Sequence, residues 1–328
     1  MSLILPSPRA KLQKRQPRNW PKYNEKLVQR GDLTFYLEAL ETWTEDLAII
    51  NHDKSGHKFK FPPVLFFVAW ILRLMYRLTY RMLAGLFRTL GKQLDFPAPH
   101  YSTLQKRMKE ISLQEWLPQK MLTGDLIVAV DASGIKIDNY SDWMRHKWHE
   151  KAKTRRGWIK IHLIVDTSTH TIIDVKITKE DCGDQEQFIP LMQSALKQEL
   201  KIKRGLGDGN YDDKKIFTFL HQNRIQPGIP PRKNASRKAR GCVTRAKEVE
   251  FYQDYGENAW KETRDYRKRP AVERTFSAFK QVFDDRIKAR NWENIYKELT
   301  NEVYLFNWNL NRPVRFNPQL HRRNLTKK

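Results

Sequence analysis

The stretch LIVAVDASGIKI, residues 126–137, constrains the fold more than any other part of the chain. Its opening residues are apolar and largely β-branched without alternation, the pattern of a strand covered on both faces. A strand of that kind needs layers above and below it, which points to an α/β architecture. Asp131 is the first charge in the run. Alone, it fits either a paired core residue or a ligand exposed at the sheet's edge.

The segments that follow extend the pattern. WIKIHLIVDTSTHTIIDVKIT reads as strands over 159–166 and 171–178 joined by a tight turn, and QFIPLMQSALKQEL (187–200) has a helical period. KIKRGLGDGNYD reads as a strand entering a glycine-flanked turn, KKIFTFLHQN as a helix and IQPGIP as a short strand. The order is three strands, helix, strand, helix, strand, then more helix: a mixed sheet with helices on both sides. Asp208 directly follows the fourth strand, between Gly207 and Gly209. By itself it reads as a turn aspartate bonded to its own backbone, although sites in α/β sheets gather at such strand ends.

The chain ahead of the sheet, about 26–117, has helical periodicity and no strand pattern. The apolar run FPPVLFFVAWIL (61–72) is too short to span a bilayer and reads as a buried helix. In FPAPHYSTLQKRMKEI, Ser102 as N-cap with Gln105 three residues later makes a capping box, so a helix is expected from about Thr103. It carries Lys106, Arg107 and Lys109 and follows a helix over 79–90, as in a helix-turn-helix DNA reader; the plainer reading is a solvated face of a bundle helix.

Glu273 sits in DYRKRPAVERTFSAFK (265–280). Pro270 belongs in a first helical turn, so a helix starts there and runs to about Asp284. Val272, Phe276, Phe279 and Phe283 make one apolar stripe, and Glu273 and Lys280 lie on its shoulder, where the helix meets the sheet edge. Glu273 can there converge with Asp131 and Asp208. Three like charges in one place require a cation, and oxygen donors without cysteine select magnesium or manganese. Two such ions ~4 Å apart form a clamp for in-line displacement at phosphorus. Arg269 and Lys280 would hold a phosphate chain against it.

Charge supports that partner. The 328 residues include 61 Lys plus Arg against 37 Asp plus Glu, a formal net charge of +24. Such an excess favours a polyanion, nucleic acid before all others, over an anionic membrane.

These residues resemble the DDE transposases of bacterial and archaeal insertion sequences, particularly the insertion-sequence-five group and its relatives. Tyr266-x2-Arg269-x3-Glu273-x6-Lys280 matches their Y-(2)-R-(3)-E-(6)-K signature at all four positions, and VDASGIKI and GDGNYD resemble their two aspartate motifs. RRGWIKIHLIVD, IPPRKNA and NWPKYNEKLVQRG resemble other recurrent stretches, so the resemblance runs from about Asn19 to Asn311. It implies a ribonuclease-H-like mixed sheet flanked by helices, with an all-α N-terminal region. The first aspartate would lie on the first strand, the second after the fourth, and the glutamate on a later helix. By the same resemblance Asp131, Asp208 and Glu273 bind two divalent ions, Mg2+ or Mn2+. Water cuts at the ends of the element, and the freed 3′-hydroxyls join target DNA without a covalent protein–DNA intermediate. Tyr266, Arg269 and Lys280 would contact terminal DNA; on the separate helix-turn-helix reading, Lys106 and Arg107 would contact it from the N-terminal region. The partners implied are double-stranded DNA, as terminal inverted repeats and target, and a second copy of the chain in a homodimer on DNA.

The expected organisation is a basic flexible arm over 1–22, a helical DNA-end-binding region over 23–120, a catalytic domain over 121–311 with a basic insertion around 232–262, and a basic tail over 312–328. The start of the chain does not resemble a signal peptide, and Cys182 and Cys242 read as free thiols, so a cytoplasmic, nucleoid-associated protein is expected, with no membrane partner. Two other functions fit parts of the pattern: a catalytically silent DNA-binding repressor, and a ribonuclease-H-fold DNA nuclease that never joins ends. His146 and His149 with Asp142 offer a weak zinc pattern lacking further ligands. Trp143, Trp148, Trp158, Trp260 and Trp292 read as core, with Trp260, in the basic insertion, the one placed to stack on an unpaired base.

Overall fold

The structure, a computed structural model, describes residues 19–32, 37–117, 121–137 and 157–310. The zinc pattern at Asp142, His146 and His149, together with Trp143 and Trp148, falls outside them, as do nearly all of the basic arm and the tail.

The helical region comprises α1 (Trp20–Arg30), a 3-10 turn (Ala39–Thr42), α2 (Trp43–Asn51), α3 (Pro63–Met75), α4 (Tyr80–Leu94), α5 (Tyr101–Met108) and the short α6 (Leu113–Trp116). Every residue of α3 from Val64 to Leu74 is buried, as its all-round apolar sequence requires. The capping box expected at Ser102 does not form. Pro99 precedes an extended His100, whose Nδ1 accepts from the Ser102 backbone N–H (3.4 Å) and contacts Ser102 Oγ (2.8 Å), so α5 starts at Tyr101.

The sheet follows: β1 (Leu126–Ile137), β2 (Trp158–Asp166), β3 (Ile172–Lys179), α7 (Asp184–Lys197), β4 (Ile202–Leu206), α8 (Lys214–Gln222) and β5 (Gln226–Gly228). Then come α9 (Val243–Thr263), α10 (Pro270–Phe283), β6 (Arg286–Ile287) and α11 (Trp292–Leu310). The strand order is β3-β2-β1-β4-β5, with β6 added to β1. β1–β2 and β2–β3 are antiparallel, whereas β1–β4, β4–β5 and β1–β6 are parallel. This is the ribonuclease-H-like mixed sheet flanked by helices expected from the sequence. β6 is an addition that two residues were too short to announce.

Alternation along β1 serves two cores. Leu126, Val128 and Val130 face α7 and α8, while Ala129, Ile135 and Ile137 face α10, α11 and the N-terminal helices. The second core is continuous: α3, α10, α11 and the sheet share one set of buried side chains. Specific bonds fasten it. Arg73 on α3 pairs with Glu298 on α11 at 2.8 Å, the Leu113 N–H donates to Asn301 Oδ1 (3.0 Å), and Arg77 donates to the carbonyl of Phe283 at the end of α10.

The basic stretch around 232–262, expected as an insertion or DNA-contacting loop, is largely the helix α9, kinked at Gly256 (φ 79°). Trp260, read as core with stacking on an unpaired base as the alternative, is fully buried. Its indole N–H donates to Glu248 Oε2 (2.9 Å), and its ring lies 5.2 Å from that of Tyr266. Burial and a satisfied N–H make it packing under Tyr266 rather than a base platform.

Candidate active site

The site grows out of the register of two parallel strands. The last paired residues of β1 and β4 are Ala129 and Leu206, so Asp131 and Asp208 each lie two residues past the same rung. This is the carboxyl end of the parallel strands, where the sheet opens. Beyond Ala129, β1 loses β4 and regains a neighbour on that side only at Lys136, which pairs with Arg286 of β6. The gap is faced by α10 and the turn leading into it.

α10 packs its stripe of Val272, Phe276, Phe279 and Phe283 into the core. Its shoulder then meets the open edge of β1. Lys280 Nζ donates to Ser133 Oγ (2.8 Å) and to the carbonyl of Gly134 (2.9 Å). Gly134 is itself required: a Cβ there would stand 2.8 Å from the ring of Trp158. At the other end of the helix, its N-cap Arg269 reaches Glu273 Oε1 at 2.5 Å and Asp131 Oδ2 at 3.3 Å. Arg269 thus bridges the carboxylates of β1 and α10, and Lys280 ties α10 to the edge of β1.

The electrostatics follow from this crowding. Burial raises the Asp131 carboxyl above the usual range, and Asp208 and Glu273 push the same way, while the Ala132 N–H (2.9 Å) and Arg269 oppose them. Burial disfavours the Arg269 charge, but Asp131, Tyr266, Glu273 and Asp208 more than offset this and hold its pKa high. Burial raises the Tyr266 phenol, with Asp208, Glu273 and Asp131 adding to it against Arg269. Tyr266 is therefore a neutral donor.

Asp208 does what a turn aspartate does, accepting the Asn210 N–H at 2.9 Å, and it also acts electrostatically on Asp131, Arg269 and Tyr266. Gly207 lets Tyr211 fold back beneath it, since a Cβ would come within 2.9 Å of that ring. Burial, Asp131, Asp184 and Asp208 raise the Tyr211 phenol, and its buried hydroxyl has no hydrogen-bond partner among the described residues.

The three carboxylates feel one another without closing into a cage: among the described residues no group of three His, Cys, Asp or Glu side chains is drawn tightly enough to hold a metal ion. The cation between Asp131 and Glu273 is Arg269. Hard oxygen donors, a carboxyl raised by burial and by two like neighbours, and an unpartnered phenol beside them all fit a divalent cation.

Of the remaining sequence candidates, Lys106 is exposed on α5. Arg107 is engaged: it bonds Glu110 (2.9 Å) and stacks over Phe59 (4.7 Å) and Phe66 (5.2 Å). Neither approaches the carboxylates through any contact seen. Arg204 and Asp265 went unnoticed in the sequence. Arg204, buried on β4, donates to Asp265 Oδ2 (2.6 Å) and to the carbonyl of Thr263 (3.2 Å), holding the left-handed Asp265 that turns the chain into Tyr266 and Arg269. The signal was a charge at an inward position of the strand IKRGL, two residues before the buried Leu206.

Residues 122–308 match the family described as a transposase DDE domain, and a second family of the same description matches residues 28–140. The chain belongs to the DDE transposase family. Solved structures resemble it only loosely. A piggyBac transposase in a synaptic complex with hairpin DNA is 10% identical over 92% of this chain and 79% of that one, at a TM-score of 0.34. The Mos1 strand transfer complex is 14% identical over 89% of each chain, at 0.29. A chain of the simian T-cell lymphotropic virus intasome, solved with the PP2A regulatory subunit B56 gamma, is 11% identical at 0.26, and this protein spans 63% of its length. No described helix is long and apolar enough to cross a membrane.

Proposed function

We propose that this DDE-family protein is an active DNA transposase that cuts the ends of its insertion sequence and joins the freed 3′-hydroxyls to target DNA. The observation that carries this is the level placement of Asp131 and Asp208 at one strand end, with Arg269 bridging Asp131 to Glu273. Asp131, Asp208 and Glu273 would hold the divalent cation, magnesium or manganese with two ions expected, whose chemistry is Lewis-acid activation at phosphorus.

The chain's own residues supply positioning. Arg269, held by two carboxylates, presents a planar cation to a phosphate chain and is the group such a chain would compete for. Tyr266, kept neutral, donates a hydrogen bond rather than repelling phosphate. Lys280 fixes the unpaired edge of β1 and with it the position of Asp131. The four residues follow the signature of the insertion-sequence-five group, and the helical region over 23–120 would grip the terminal repeats, with Lys106 contributing. Two ends cut together imply a homodimer on DNA, working in the cytoplasm at the nucleoid.

The test is cleavage and joining of a labelled duplex bearing the element's ends, with magnesium or manganese, by wild type and Glu273→Ala. Metal-dependent joined products that vanish in the variant are expected. Nicking without joining would instead identify a nuclease, and binding with neither reaction a repressor.

A further inference from the structure

We propose that a second phosphate-binding site, a cleft between the N-terminal helices and the start of α11, grips duplex DNA at least about half a helical turn from the carboxylates. It rests on the transposase reading and adds a place where the two regions hold one duplex jointly. The cleft encloses about 370 Å³. Lys109 from the end of α5 lines one side, and Lys288, Arg290 and Lys297 from β6 onward line the other, with Arg73 between them. The carboxylate that lines it, Glu298, is bound to Arg73 at 2.8 Å, so the remaining cations face one another across open space.

Burial lowers the Lys297 ammonium; Glu293, Glu115 and Glu110 raise it, and Lys109 adds a smaller repulsion from across the cleft. The walls are firm: Lys288 Nζ donates to the carbonyl of Arg77 (2.8 Å), and Arg77 in turn holds the end of α10. Several cations line this junction of two packed regions and its one lining carboxylate is already paired, a surface that suits a polyanion's run of phosphates better than a lone anion.

The sheet fixes the spacing. Arg286, two residues before Lys288, pairs with Lys136, five residues along β1 from Asp131. At about 3.3 Å per strand residue that separation is ~17 Å. One strand of a duplex carries a phosphate every ~3.4 Å along its axis, so the cleft, which begins two residues beyond that rung, lies at least about five phosphates from the reacting one.

The experiment is binding of a 30-base-pair duplex by the full chain across a sodium chloride titration, with melting curves to establish folding. The cleft variant Lys109→Gln/Arg290→Gln/Lys297→Gln is compared with Lys197→Gln/Lys201→Gln/Lys203→Gln. The second set removes the same charge from exposed positions at the opposite end of β4. Loss of two or three phosphate contacts should lower the log–log salt slope by about 1.8–2.7 in the cleft variant, with the control within about 0.9 of wild type. Equal slopes in the two folded variants would overturn the cleft while leaving the transposase reading intact. A wild type that fails to bind duplex would overturn both.

Discussion

Two clusters in this molecule are built from the same parts, an arginine among carboxylates, and they differ in access to solvent. In the first, Arg73 and Glu298 are 9% and 8% exposed and lie between α3 and α11. Burial and Glu298 push the neighbouring Glu302 carboxyl far above its ordinary range against Arg73 and Arg77, so it keeps its proton. The charges are thereby reduced to one ion pair that Trp70 and Tyr80 cover with their rings. In the second, Arg269 and Asp131 are 14% and 19% exposed, but Glu273 is 53% exposed and Asp208 stands at an open strand end. Among the described residues, the cation that pairs with these carboxylates is Arg269. A sealed cluster settles its charge internally; an open one holds unbalanced charge that a ligand can complete.

The largest expected contrast is in activity. Asp131→Asn should reduce metal-dependent joining on the order of 10³-fold or more, while leaving the melting temperature at or above wild type because one of three repelling carboxylates is gone. A comparable loss of stability would make the open cluster structural and erase the distinction. Arg73→Met should do the reverse. It strands Glu298 in the core and costs about 3–5 kcal/mol, and Arg73→Met/Glu298→Leu should recover most of that. Chemical denaturation of the single and double variants decides it.

A smaller effect separates buried titration from the open site. His162, on β2 and fully buried, is pushed down to about 4, by burial first, with Lys160 adding to it and Asp184 opposing. Its lowered pKa means that the unfolded chain takes up the proton first. The stability it protects is present above the ordinary histidine value and lost as pH falls toward 4, by up to about 3 kcal/mol. Unfolding curves for wild type and His162→Gln between pH 7 and 4 should diverge in slope, and parallel curves would show that His162 is not kept neutral.

Much of this was legible in the chain. The strand at 126–137 was readable because its opening residues, Leu126 to Val130, are apolar and largely β-branched without alternation. Asp208 could be placed because it directly follows a strand, and Glu273 because Pro270 fixes the helix start and four apolar residues fix its phase. What escaped depended on three-dimensional company. β6 is two residues long and exists only because the edge of β1 is free there. The basic composition of 232–262 hid α9, whose burial of Trp260 relies on Glu248 twelve residues away. Sequence spacing put Arg269 and Lys280 near a phosphate; it could not show that one bridges two carboxylates and the other bonds the backbone of β1.

The account stands on the open cluster receiving a divalent cation. Calorimetric titration of manganese into wild type, Asp131→Asn and Glu273→Gln measures that directly. The account predicts binding to wild type that weakens at least about tenfold in both variants. Unchanged binding in the variants, or none in wild type with duplex DNA present, would contradict it.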